Sequence, residues 1–122
     1  WPARYEQISD LGPKLPPLPG HVKTEENRVH GCMGKVYISL RRRPGAPSVI
    51  EFLANANADI VNGLIALLER LFSGQRAEQV LAFDVEGFFR RVGLDQHLTL
   101  GRRNGLAAMV QQIRKFAAAP TE

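Results

Sequence analysis

Cysteine is nearly absent: Cys32 is the only one in 122 residues. A single thiol excludes an internal disulfide framework and fits a reducing compartment. Histidine is scarce and scattered, at His21, His30 and His97, so zinc-ligand spacing is missing and no metal is expected. No apolar run approaches the ~18 residues that cross a bilayer, so no membrane is expected as a partner. The first residues, Trp1-Pro2-Ala3-Arg4, lack a signal-peptide pattern and begin inside what reads as a helix, as a truncated chain would. There is no G-K-[ST] loop and no strand-linked G-x-G-x-x-G, which removes the common phosphate cradles, and no cofactor is expected. No Ser or Thr has a nearby His with an orienting acid, which disfavours a hydrolase triad.

Acidic residues are outnumbered. Twelve Asp and Glu face 16 Lys and Arg, for a net charge of +4. The surplus is mostly arginine, in Arg41-Arg42-Arg43, Arg90-Arg91 and Arg102-Arg103. Such clusters are either solvated faces or a docking surface for an acidic partner or nucleic acid. No aromatic residue separates the arginines within a cluster, so a stacking platform for single strands is not expected.

The length bounds the chain to one domain, 1–122, with one core. Tyr5, Ile8 and Leu11 are spaced three apart and predict a short amphipathic helix stopped by Gly12-Pro13. Leu15-Pro16-Pro17-Leu18-Pro19 forbids helix and central strand, and reads as an extended connector whose leucines pack on the core. Thr24-Glu25-Glu26-Asn27 predicts a helical turn with Thr24 as N-cap. Val36 to Leu40 and Val49 to Ala54 alternate like strands, joined by a hairpin turn over 41–48 that holds Pro44, Gly45 and Pro47. Two strands need a third, or a helix on one face.

The remainder reads as helical. Asn57 is the expected N-cap of a buried central helix with Ile60, Leu64, Leu67, Leu68 and Leu71 as its stripe, ended by Gly74. A short helix over 76–81 follows. A second, capped by Asp84, runs to Arg91 and stops at Gly93. His97 reads as a hydrogen-bonding residue at a helix end. Gly101 to Gly105 is a turn or a first helical turn. The last helix presents Leu106, Met109, Val110, Ile113 and Ala117 to the core and ends at Pro120.

Chemistry concentrates in Asn27-Arg28-Val29-His30-Gly31-Cys32-Met33-Gly34-Lys35-Val36-Tyr37. A lone cysteine is often just a small buried hydrophobe. Here Gly31 and Gly34 permit backbone angles that hold a side chain at a loop tip. Arg28, His30 and Lys35 lie within four positions of the thiol and favour the thiolate, the nucleophilic form. A nucleophile with no general base beside it in sequence suits transfer to and from sulfur, which needs only a thiolate and a partner that delivers the electrophile.

The order of these pieces resembles the SufE family, sulfur acceptors of iron–sulfur assembly, together with the related CsdE. The similarity runs from about Tyr5 to Ala117. It rests on Asp10-Leu11-Gly12 with Leu15 to Leu18, on Asn27 through Gly31-Cys32 and Val36, on Asp59 to Leu68, and on Phe83-Asp84-Val85, Gly93-Leu94, Gln96 to Thr99 and Arg102 through Met109. The resemblance implies an α+β fold, a small antiparallel sheet of about three strands flanked by helices, as in SufE and the IscU scaffold. It implies that Cys32 takes sulfane sulfur from the persulfide of a PLP-dependent cysteine desulfurase of the SufS/CsdA kind. It further implies that the chain stimulates that enzyme and passes sulfur to a recipient such as SufBCD. The chain would be a covalent carrier and activator, not a stand-alone catalyst, in the cytoplasm or an organelle stroma or matrix. A homodimer is compatible with it.

Gly31, Met33, Gly34, Lys35, Asn57 and Arg102 would form the hinge and partner interface around Cys32. Arg102 matches the family's S-R-x-x-G-L arginine. Three segments depart from the family pattern. Met33-Gly34-Lys35-Val36-Tyr37 stands where a Gln or Glu, then Ser, Gln or Arg, then Val-Trp is usual. Asn55-Ala56-Asn57 replaces Asp-Ser-Asp, and Leu100-Gly101 replaces Pro-Ser. The alternative is a basic protein- or nucleic-acid-binding module on the same fold with an inactive cysteine loop. A metal or cluster scaffold would need a site shared across a dimer, since one cysteine is too few.

Overall fold

In the computed structural model, residues 2–15, 18–30 and 35–120 are described. Pro16 and Pro17 of the connector, Gly31 to Gly34 with the thiol, and the side chain of Tyr5 lie outside the described residues. Helix α1, Pro2–Leu11, ends where Gly12–Lys14 tightens into a 3₁₀ turn. Leu18 of the connector is buried and Leu15 packs against the core, as expected. Further 3₁₀ turns follow at Gly20–Val22 and Glu25–Asn27. Thr24 precedes the last of these in extended conformation, but its side chain makes no cap hydrogen bond. Instead Asn27 closes the segment, its Nδ2 donating to the Val22 carbonyl at 2.8 Å.

Strand β1 is Val36–Arg43 and β2 is Ala46–Ala56. They pair antiparallel, and β2 also pairs with the short β3, Gln75–Arg76, giving the order β1-β2-β3. The hairpin is tighter than expected: only Pro44 and Gly45 lie between the strands, with Gly45 at φ +81°. Register explains how Pro47 is tolerated. Arg42 faces Ile50 while Arg43 faces Ala46, so Pro47-Ser48-Val49 bulges out of the β1 ladder, where a missing N–H costs nothing.

Alternation divides the sheet into two faces. Val36, Ile38, Ile50, Phe52, Ala54 and Ala56 are buried on one. That face is covered by α2, Asp59–Phe72, against β2 and by α6, Leu100–Ala118, against β1. The stripes expected on these helices are the core: Ile60, Leu64 and Leu68 on α2, and Leu106, Met109, Val110, Ile113 and Ala117 on α6 are buried. Gly63 lets α1 cross α2 at close range, since a Cβ there would run into the Ile8 carbonyl.

Between α2 and α6 run α3, Ala77–Ala82, α4, Val85–Val92, and α5, Leu94–His97. Asp84 caps α4 as expected, accepting from the Gly87 N–H at 3.0 Å, and Gly93 ends it at φ +81°. The expected α2 cap is corrected. Asn57 is exposed and the N-cap position falls on Ala58, which has no side-chain oxygen to offer. The polar work at this junction is done from inside the helix. The Ala56 N–H donates to Asn62 Oδ1 at 2.7 Å, and Asn62 Nδ2 donates to the Ala56 carbonyl at 3.0 Å. Gly101 to Gly105 belongs to α6, whose N-cap is Thr99.

Candidate functional site

The segment carrying Cys32 is fastened at both ends. Val29 N–H donates to the Val36 carbonyl at 2.8 Å, and Arg28 and Tyr37 form an antiparallel bridge. Val29 and Val36 are each only 1% exposed, so this junction is anchored in the core cluster. Val29 and Val36 therefore sit side by side in the core. The described residues next to them in the segment, His30 and Lys35, are exposed. His30 Nε2 stands 3.6 Å from Glu25 Oε1, a solvent-exposed pair of small energetic weight.

Beside this junction lies a cavity of about 360 Å³. Three chain segments far apart in sequence build it: Val36 at the start of β1, Ala58 and Leu64 around the start of α2, and Arg102, Leu106 and Met109 on α6. Its wall is mainly aliphatic, and Arg102 is half-buried at the first turn of α6. That turn is fixed by Thr99, whose Oγ1 accepts from the Arg102 N–H at 3.3 Å. Burying a cation's stem while presenting its head near a cavity is how a long side chain combines packing with charge.

Of the residues expected at the site, Arg102 lines this cavity and Lys35 directly precedes its wall residue Val36. Asn57 adjoins the wall residue Ala58 but is itself exposed and does not line it. Gly31, Cys32, Met33 and Gly34 lie outside the described residues. Thr99, Leu64 and Met109 line the cavity and Asn62 holds Ala56 at the junction of β2 and α2, and none of the four was singled out for the site by sequence. Thr99 carries a readable signal, a hydroxyl residue just ahead of a helix. Asn62 carries none, since it occupies a polar slot of an otherwise ordinary helix.

The arginine triplet has structural partners. Arg41 and Arg43 both bind Glu51, each with a contact of 3.0 Å. Arg42 reaches the end of α6, donating to the carbonyls of Ala119 at 2.7 Å and Phe116 at 3.3 Å, with its guanidinium 5.4 Å from the Phe116 ring centre. This cluster ties the sheet to α6 and is not an uncommitted docking patch. Among the described residues no group of three or more His, Cys, Asp or Glu side chains could hold a metal ion. No helix among them is long and apolar enough to cross a membrane.

The fold and this cavity define a small α+β fold in which helices cover one face of a three-stranded antiparallel sheet, with the Val29–Val36 junction beside the cavity at the start of β1. Residues 1–117 match the SufE family, described as an Fe-S metabolism associated domain, and the chain belongs to that family. A similar solved structure is the solution structure of a hypothetical protein from Thermus thermophilus. It is 25% identical with a TM-score of 0.75, over 94% of this chain and 82% of that one. A role in Fe-S metabolism follows from the family.

Proposed function

We propose that this protein is a sulfur carrier: Cys32 accepts sulfane sulfur from a cysteine desulfurase and passes it on for Fe-S cluster assembly. The observation that carries the reading is that the one thiol of a SufE-family chain lies, in sequence, between Val29 and Val36, whose hydrogen bond adjoins an aliphatic cavity edged by Arg102.

The chemistry needs no group that the chain lacks. The Cys32 thiolate attacks the outer sulfur of the desulfurase persulfide. A new S–S bond forms at Cys32, the enzyme's S–S bond breaks, and the enzyme's thiolate leaves and takes a proton. Oxidation states only exchange between the two cysteines, so no external oxidant or reductant enters. A persulfide is readily reduced by solvent thiols, and an apolar cavity that reaches Val36, four positions after Cys32 in sequence, is suited to shield it. Delivery requires the segment to reach a partner, and its glycines Gly31 and Gly34 suit that motion. Stimulation of the desulfurase is part of the same proposal, since removing sulfur from the enzyme's cysteine regenerates it.

Incubation with a cysteine desulfurase and cysteine tests this. Intact-mass measurement should show a gain of about 32 Da that a thiol reductant reverses. Cys32→Ser should show none, with an unchanged fold by circular dichroism. A wild-type chain that gains no mass, or a Cys32→Ser chain that stimulates the desulfurase as well as wild type, overturns the reading.

A further inference from the structure

A second cavity, larger than the first, lies on the other side of α6. Its volume is about 560 Å³, within the ~300–1,000 Å³ of small-molecule sites. The floor is apolar: Val85, Phe89, Leu94, Leu98, Leu106 and Val110, drawn from α4, α5, α6 and the Leu98 link. Only Leu106 is shared with the cavity beside the thiol segment.

Charge around it is uneven. Arg90, Arg103 and Arg114 line it with Glu86 and Asp95, which leaves one positive charge in excess. Arg114 is committed. Its Nη1 and Nη2 donate to Glu86 Oε1 and Oε2 at 2.6 and 3.0 Å, and Nη2 also donates to the Phe83 carbonyl at 3.1 Å. Arg114 Nε and Asp95 Oδ1 are closed off from solvent, without partners among the described residues. Arg90 and Arg103 form no ion pair among the described residues and are exposed. An apolar floor with two guanidinium forks at its edge suits a molecule that is aliphatic at one end and singly negative at the other.

We propose that this cavity binds an aliphatic monocarboxylate, its tail on the Val85–Phe89–Val110 floor and its carboxylate between Arg90 and Arg103. Nothing in sulfur transfer requires this site, so it stands or falls independently of the carrier reading. The single excess charge selects a monoanion over a dianion. A cationic amphiphile of equal length meets the same floor and the opposite charge at the edge.

Titration calorimetry of the full chain with octanoate, decanoate and decyltrimethylammonium, all below their micelle concentrations, tests it. Full burial of the tail should tighten binding roughly fourfold per added methylene. The cation should bind roughly tenfold or more weakly than decanoate, and Arg90→Gln/Arg103→Gln should erase that preference. Ala107 lines the cavity from an exposed position on α6, so Ala107→Trp should fill it and abolish decanoate binding without disturbing the core. Gln111→Trp does the same from the next position along the wall if the first variant fails to fold. Amide shifts in α4, α5 and α6 locate the ligand. Equal affinity for anion and cation, no dependence on chain length, or shifts confined to another face overturn the proposal. So does a chain indifferent to decanoate whose α4–α6 amides respond only to a desulfurase, since the cavity is then a protein contact.

Discussion

Asn62 holds both polar groups of Ala56 with one side chain, and so fixes where β2 ends and α2 begins. Asn62→Ala leaves a part-buried N–H and carbonyl to find water in an apolar neighbourhood. The expected loss is about 1–3 kcal/mol in thermal or urea unfolding. Asn62→Asp should fall between, because a carboxylate still accepts from the N–H but meets the carbonyl with a second acceptor. A substitution that costs nothing would show that solvent satisfies Ala56 equally well. This residue also marks the limit of reading the site from sequence. Asn57 has the right chemistry for a cap and the right position before an apolar stripe, yet the turn places Ala58 at the cap. A side chain reaching back from inside a helix leaves no trace in the spacing of apolar residues. Arg102 was legible because the family pattern marks it. Its neighbours in space, Val36 and Leu64, were legible only as core, since a cavity wall and a core face have the same periodicity.

At the scale of elements, helices were the clearest. Repeating apolar positions at three and four fix which face of α2 and α6 is buried, and Asp84 and Gly93 bracket α4. The hairpin was less clear because Pro44, Gly45 and Pro47 crowd the turn, and a proline within a strand is tolerated only through the bulge that register creates. Once the strands run to Arg43, alternation sorts the arginine triplet: Arg41 and Arg43 share one face with Glu51, and Arg42 turns to α6. Arg42 then serves as an external cap for the last turn of α6. Arg42→Ala should cost about 1–2 kcal/mol through the lost carbonyl partners and the lost stacking on Phe116. Arg42→Lys should recover only part of it, since an ammonium cannot fork to two carbonyls and lie flat on a ring. Hydrogen exchange should rise selectively at Phe116 to Ala119. An unchanged exchange pattern in Arg42→Ala would mean that the end of α6 is held by its apolar face alone.

Across the whole molecule, acid sensitivity follows from two surface carboxyls. The Arg43 hydrogen bond, opposed by partial desolvation and assisted by Arg41, holds Glu51 below its ordinary value of 4.5. The Arg114 hydrogen bond, helped by a backbone N–H and by the charges of Arg114 and Arg90, does the same for Glu86. A carboxyl with a folded pKa below its unfolded value binds its proton more readily once the chain unfolds. Its contribution is therefore present above the unfolded value and lost as pH falls through the folded one. The two pairs tie different parts of the chain: Glu51 locks the hairpin, while Glu86 joins α4 to α6 over the larger cavity. Thermal stability should be level at neutral pH as far as these groups are concerned, and should decline below about pH 4.5. Glu51→Gln/Glu86→Gln should lower stability at pH 7 and show a shallower decline in acid, so that the two curves converge at the lowest pH. Both pairs sit at the protein surface, with the Glu86 side chain 58% and the Glu51 side chain 24% exposed, so the gap between the curves should be small and should shrink further at about 0.5 M salt, where charges are screened beyond a few ångströms. Parallel curves for wild type and the double variant would assign the acid response to other carboxyls.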